Sequence, residues 1–477
     1  MVFSSITFLF VFLPVLLAAY YACPARHRNR VALAGSLIFY AWGAPRFVIV
    51  LGVSSLLDYA LSRELPEGRR APGARQAALA AAVSLNIGLL LYFKYANFFV
   101  AELNGWLARF GAEGVGWTAV ALPIGISFFT FQKVSYLVDV YRGTARVARN
   151  ASDYLLYVAL FPQLIAGPIV RYHDVAMQLI RREHTRERFF TGILRFCQGL
   201  GKKVLVANMM AEVADAAFGA APGSLTCGGA WLGAVAYAFQ IYFDFSGYSD
   251  MAIGLGRLLG IEFLENFNRP YVSRSITEFW RRWHISLSNW MREYLYIPLG
   301  GNRKGGARTY FNLWLVFLAS GFWHGAAWNF VAWGAFHGFF LCVDKLFKNT
   351  RAARAPAWAG IPVTFVLVLF SWVLFRAETL GHALAYMGSM VNLFAAAPAA
   401  AAAVELGARH QAMLAAAAAL CFGPALKAHP FDFMRLEPGR ARLGQAIGRF
   451  AVAMFLLGWS ASVLATSSFN PFIYFRF

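Results

Sequence analysis

The sequence predicts an all-α, polytopic fold: about eleven membrane helices, with short interfacial or re-entrant helices between them, in one membrane domain over 1–477. Three observations predict it. The chain is 59% hydrophobic and 14% charged, whereas a soluble domain carries roughly a quarter charged residues. Its apolar residues gather into runs of spanning length. Its basic residues gather into short clusters between those runs, at 26–30, 63–75, 142–149 and 345–354.

Taken in order, the clearest apolar runs fall at 3–23, 31–43, 46–62, 77–100, 229–257, 309–322, 325–343, 360–375 and 448–468. Weaker ones fall at 118–139, 152–170, 188–218 and 410–426. No charge precedes Arg26 and no basic run precedes Phe3, so the first run is expected to be a retained span rather than a cleaved leader. Pro123-Ile124-Gly125 and Ala166-Gly167-Pro168 interrupt the weaker runs. Irregular backbone at membrane depth needs protein or a water-filled cavity around it, so a tunnel is expected rather than a plain bundle. The basic clusters at 26–30, 63–75 and 142–149 fit the cytoplasmic side if the N-terminus is extracytoplasmic. An alanine-rich stretch at 394–420 reads as a loop and a helix without function. The chain carries no internal repeat of the kind that builds many transporters.

The net charge of +20 would suggest nucleic-acid binding in a soluble protein. Here it sits in loop clusters that orient spans and meet anionic headgroups, and no nucleic-acid motif accompanies it. Five cysteines are scattered without CxxC spacing and predict neither a metal site nor a disulfide framework.

His324, in Ser320-Gly321-Phe322-Trp323-His324-Gly325, has uncharged flanks at 311–319 and 330–342. An ionisable group at membrane depth costs about 2 kcal/mol or more and is a functional candidate for that reason. Histidine also exchanges a proton near neutrality. The small neighbours are expected to leave room for a substrate. The alternative is a buried structural histidine bonded to a facing helix. His337 is expected to be structural, with Gly338 marking close helix packing.

Between Glu262 and Gly306 the chain is crowded with Trp, Tyr and Arg but too polar to span. Phe279, Trp283, Leu287 and Trp290 recur at helical spacing, which predicts one interfacial helix. On that helix Trp280, His284 and Ser288 would share a line, and Glu278 would pair with Arg282. His284 is a second candidate, against the reading of an interfacial histidine bonded to backbone. In a third segment, Gln240 to Asp250, Asp244 and Asp250 break an apolar run together with Tyr242 and Ser246. These groups need partners, either internal or on a polar ligand.

GISFFTFQKVSYLVDVYRG (125–143), FPQLIAGPIVRY (161–172), IYFDFSGYSDMAIGLGRLLGI (241–261), NFNRPYVSRSITEFWRRWHISLSNWMREYLYIPLGGNR (266–303), SGFWHGAAWNFVAWGAFHG (320–338) and NPFIYFRF (470–477) stand in this order. Together they resemble the membrane-bound O-acyltransferase (MBOAT) superfamily. Within it they are similar to bacterial alginate O-acetyltransferases and the related teichoic-acid D-alanyl transferases. The resemblance implies a ring of helices around a central tunnel, with core motifs at 120–343 and peripheral helices at 1–100 and 360–477. It places the principal catalytic histidine at His324 and the second motif histidine at His284. Trp283, Trp323, Tyr242, Asp244, Ser246, Asp250, Gln132 and Asn289 become candidates for the substrate path.

The implied reaction is O-acetyl transfer in a bacterial inner membrane, toward an extracytoplasmic polysaccharide such as alginate. The donor is a cytoplasmic thioester, acetyl-CoA or a carrier-protein thioester, used as a co-substrate. No bound cofactor, metal or nucleic acid is implied. Transfer is either direct or relayed by an extracytoplasmic acetyltransferase partner. The oxyanion donor stays open between His284, a Trp N–H and backbone amides. Transfer of D-alanyl or another acyl group to teichoic acid or peptidoglycan is an alternative, and a non-catalytic export component is another.

Overall fold

Apolar runs become helices because lipid offers no partner for a free peptide N–H or C=O. The computed structural model describes residues 1–221, 224–347, 356–392, 406–423 and 443–467, and their regular structure is entirely helical. The C-terminal motif at 470–477 and most of the alanine-rich loop lie outside the described residues. Pro72–Arg109, Trp328–Phe347, Ala357–Arg376 and Gly444–Thr466 are long and apolar enough to cross a membrane, and Phe8–Ala22 and Phe47–Ser62 are shorter apolar helices. The protein is a polytopic, all-α membrane protein.

The chain divides into two compact units. The first comprises 1–189 and 255–264. It holds α1 (Leu13–Ala22), α2 (Arg28–Gly43), α3 (Phe47–Ser62), α4 (Pro72–Leu90), α5 (Ala96–Arg109), α6 (Ile126–Arg142), α7 (Ala151–Ala159), α8 (Phe161–Leu164) and α9 (Tyr172–Ile180). Proline stands in the first turn of α1, α4 and α8, where its missing N–H costs nothing. A π-turn at Leu91–Tyr95 joins α4 to α5.

The 118–139 run is not one span. Residues 112–123 form no helix, and α6 starts only after Gly125, whose φ is +78°. Pro123 cannot donate to a preceding turn, and Asn97 and Asn104 of α5 bind the peptide groups of Val120 and Val115 instead. The 152–170 run is likewise broken into α7, α8 and irregular chain, with side chains satisfying the freed backbone. Tyr157 Oη donates to Val170 O at 2.9 Å, and Phe161 N–H donates to Ser36 Oγ at 3.1 Å. Lys133 and Asp58 form a fully buried ion pair at 3.0 Å, completed by Asn86 Nδ2 donating to Asp58 at 2.8 Å.

His173 on α9 has its Nδ1 2.7 Å from Asp139 of α6, and this bond raises the histidine's pKa above its ordinary 6.5. A raised folded-state pKa stabilises fully below the unfolded value and is lost as pH rises through the folded one. Thermal stability is therefore expected to fall as pH rises above about 6.5. His173→Gln should flatten that slope, as read by melting temperature against pH; an unchanged slope contradicts the assignment.

The second unit comprises 190–254 and 265–477. Its helices are α10 (Arg186–Gly201, which begins four residues earlier), α11 (Asn208–Phe218), α12 (Cys227–Leu258), α13 (Ile276–Arg282), α14 (Ile285–Met291), α15 (Gly306–His324), α16 (Trp328–Phe347), α17 (Ala357–Arg376), α18 (Leu380–Val391), α19 (Ala408–Phe422) and α20 (Leu443–Thr466). A π-turn at Lys202–Ala207 joins α10 to α11. Backbones of α10 and α12 meet directly: a Cβ on Gly199 would lie 2.4 Å from Gly247 O. That approach brings Arg195 and Lys202 against α12.

Candidate functional site

The segment predicted as one interfacial helix is two. α13 ends at Arg282, Trp283 is extended, and His284 adopts a left-handed φ of 45° before α14 begins. Such a conformation is uncommon for a side-chain-bearing residue and needs its surroundings to hold it. Here Ile285 N–H donates to Asn266 O at 3.0 Å and Asn268 N–H donates to Arg282 O at 2.8 Å, so residues 266–268 clamp the turn. Trp280, His284 and Ser288 therefore share no line, and Ser288 Oγ instead donates to Trp280 O at 3.1 Å. The expected Glu278–Arg282 pair does form, at 2.8 Å.

The same clamp decides the protonation pattern of His284. Asn266 Oδ1 accepts from Ser286 N–H at 3.1 Å and Ser286 Oγ at 2.9 Å. Because a backbone N–H only donates, the atom at that position is the amide oxygen. His284 Nδ1, 3.2 Å away, must then donate to it. Nε2 is left with a lone pair, buried and without a partner among the described residues. In this state His284 accepts a proton or hydrogen bond and does not donate to an oxyanion. The Asn266 amide nitrogen is also buried and unpartnered among them.

His324 is the last residue of α15, and Gly325 turns the chain back into α16. Its ring lies 5.0 Å from Trp333, 5.1 Å from Phe375 and 4.8 Å from Trp323, between centroids. Trp323 in turn lies 6.4 Å from His284, so both histidines border one indole. The small neighbours do not leave open room. A Cβ on Gly321 would lie 2.3 Å from Phe330 O, and one on Gly325 would lie 2.1 Å from the Phe330 ring. Both glycines are consumed by the packing of α15 on α16. Close packing also falls at Gly334, 2.3 Å from Phe317 O on the same test, rather than at the predicted Gly338, where contacts are ordinary.

His337 is held by Trp280 Nε1, which donates to its Nδ1 at 3.2 Å. Trp283 fills an aromatic core against Phe267 and Trp372, at 5.0 and 4.9 Å. Trp333 Nε1 is a buried donor with no acceptor among the described residues.

Helical period separates the residues of the third segment. Tyr242, Ser246 and Asp250 lie four apart and line one cleft with Arg195, Lys202 and Asn266. Asp244 faces away from it and pairs with Lys203 at 2.8 Å, both nearly fully buried. Asp250 is bound on both oxygens, by Arg195 Nε at 2.9 Å and Lys202 Nζ at 2.7 Å. The two acids thus find internal cations, while Ser246 Oγ stays unpartnered among the described residues. Asn289 is half-buried on α14. Gln132 belongs to the first unit, where its amide group is buried and unpartnered among the described residues.

Asn266, Lys203 and Arg195 were not singled out by sequence reasoning. Lys202-Lys203 in the apolar 188–218 run is the signal that cations await the acids of α12. Nothing local marks Asn266. Among the described residues no group of three or more His, Cys, Asp or Glu could hold a metal ion.

The fold and site define a polytopic helical membrane protein with buried histidines at helix breaks, away from bulk water. Residues 128–380 match the family described as MBOAT, membrane-bound O-acyltransferase family. The chain is 42% identical over 501 residues to the probable alginate O-acetylase AlgI of Azotobacter vinelandii, covering all of both chains. It is 48% identical over 395 residues to the protein of the same name from Pseudomonas putida, covering 82% of this chain and 80% of that one. It is 37% identical over 433 residues to the peptidoglycan O-acetyltransferase of Helicobacter pylori, covering 82% and 80%. The chain belongs to the membrane-bound O-acyltransferase family.

Proposed function

We propose that the protein is an O-acetyltransferase of the bacterial inner membrane. It moves acetyl from a cytoplasmic thioester to hydroxyls of an extracytoplasmic polysaccharide of the alginate kind. The observation that carries this reading is the full-length similarity to a probable alginate O-acetylase. The ring of about eleven spans around a tunnel belongs to the same reading, as do the single catalytic domain, the extracytoplasmic N-terminus and relay through an extracytoplasmic acetyltransferase.

In this reading His324 is the general base. It takes the proton of the attacking hydroxyl as the oxygen bonds to the thioester carbonyl. The tetrahedral oxyanion then collapses, expels the thiolate, and His324 returns the proton to sulfur. Acetyl-CoA and a carrier-protein thioester both fit as donor, and the cleft of Arg195, Lys202, Ser246 and Asn266 suits a polar thioester arm. The His284 tautomer argues against it as oxyanion donor and suits it to accept a hydrogen bond from substrate. One donor beside His324 with no acceptor among the described residues is the Trp333 indole N–H.

Mass analysis of surface polymers from a deletion strain tests the function. Loss of acetyl from an exopolysaccharide is expected. Loss from peptidoglycan alone would favour the acceptor named for the Helicobacter relative, and normal acylation with failed export would overturn the enzyme reading. Trp333→Phe keeps a ring in the core and removes the N–H, so kcat is expected to fall about 10²–10³-fold at an unchanged protein level. A loss below about tenfold would remove Trp333 from the oxyanion role.

A further inference from the structure

The first unit carries a second polar cluster that acyl transfer does not use. It gathers Tyr20 and Tyr21 at the end of α1, Arg28 at the start of α2, Arg182 and His184 between α9 and α10, and the carbonyls after α12. Tyr20 Oη donates to Leu259 O at 3.0 Å and accepts from Arg182 Nη1 at 2.8 Å. With its proton so used, Tyr20 must accept from His184 Nε2, 3.0 Å away. His184 Nδ1 then carries the lone pair, and Arg28 Nη1 donates to it at 3.2 Å. Burial and the charges of Arg28, Arg182 and Arg188 hold the His184 pKa below the ordinary histidine value, consistent with the neutral ring this bonding requires.

The cluster meets no counter-charge among the described residues. Arg171, Arg195, Arg257, Arg282 and Arg376 each meet a carboxylate within 3 Å. Arg28 and Arg182 have no ion-pair partner among the described residues, and Arg28 Nε, Arg182 Nε and Arg182 Nη2 are buried with no hydrogen-bond acceptor among them. Glu183 is committed to Arg188 at 2.9 Å. Asp153, which attracts Arg182 from beyond ion-pair range, accepts from Asn29 and Asn150. The faces of Tyr20 and Tyr21 supply only weak compensation, with the Arg28 guanidinium 5.6 Å from each centroid.

Two guanidiniums are thus linked through neutral groups, Arg182 to Tyr20 and Arg28 to His184. Guanidinium binds phosphate oxygens in pairs, with geometry ammonium cannot match. The charge pattern puts this end of α1 at the cytoplasmic surface, where anionic headgroups concentrate. We propose that Arg28, Arg182 and the Tyr20–His184 bridge form a binding site for a phosphate group, carried either by an anionic phospholipid headgroup or by a soluble phosphate. The site does not rest on the acyl-transfer reading.

The test uses the delipidated full-length protein in neutral detergent. Its melting temperature is followed with phosphatidylglycerol, phosphatidylcholine or inorganic phosphate added. Phosphatidylglycerol is expected to raise it by about 3 °C relative to phosphatidylcholine. Arg28→Gln with Arg182→Gln should abolish the rise, while Arg26→Gln, at an exposed arginine nearby, should retain it. An equal rise with inorganic phosphate, lost in the same double variant, identifies a soluble source and supports the site. If the glutamine variant does not fold, Arg28→Lys with Arg182→Lys keeps both charges and is expected to lose about half of the rise. A rise that persists in the charge-removing variant, or that is undiminished in the lysine variant, overturns the proposal. So does a wild type that responds to neither phosphate source.

Discussion

His324→Ala is expected to abolish polymer acetylation while leaving protein level and membrane insertion intact. A positioned general base contributes about 10²–10⁴-fold, and the other two buried histidines are engaged elsewhere: His337 is bonded to Trp280, and His284 lies beyond Trp323. The measurement is acetyl content of surface polysaccharide alongside immunoblot of the membrane fraction. Normal acetylation in a well-expressed variant would remove His324 from the chemistry. His324 packs against Trp333 and Phe375, so His324→Gln, closer in volume, serves as the control for packing and is expected to be equally inactive.

The second large effect concerns stability. Lys203→Met removes the cation paired with Asp244 in a setting where the pair is only 2–3% exposed. Removing one partner of a buried ion pair costs about 3–5 kcal/mol, enough to deplete the folded protein. Lys203→Met with Asp244→Leu removes both charges and is expected to restore the protein level. Restored acetylation would assign Asp244 to structure. A folded but inactive double variant would return it to the substrate path, where sequence reasoning had placed it as a candidate.

This contrast shows how far each kind of residue can be read from sequence. An acid in an apolar run announces that it needs a partner, because desolvation is costly wherever the partner comes from. Which partner it finds depends on helix phase and on the neighbouring backbone. Tyr242, Ser246 and Asp250 share a face and line a cleft, whereas Asp244, on another face, meets Lys203. The glycines beside His324 illustrate the same limit. Glycine at 321 and 325 is equally compatible with open space and with a tightly packed helix, and only the placement of α16 decides. The turn at His284 was illegible for a different reason. Local pattern favours a continuous helix, and a clamp from Asn266, 18 residues earlier, overrides it.

By itself the sequence determined the membrane class, the helical fold, the weak spans at 118–139 and 152–170 where helices break, and the histidines worth mutating. These follow from hydropathy, charge placement and the cost of ionisable groups in lipid, all of which act along the chain. The tertiary structure alone decided which nitrogen of His284 carries the proton, that the Trp333 indole N–H meets no acceptor among the described residues, and which arginines meet no acid among them. Each of those is settled by the one or two atoms that happen to face a group, and those atoms come from distant parts of the chain.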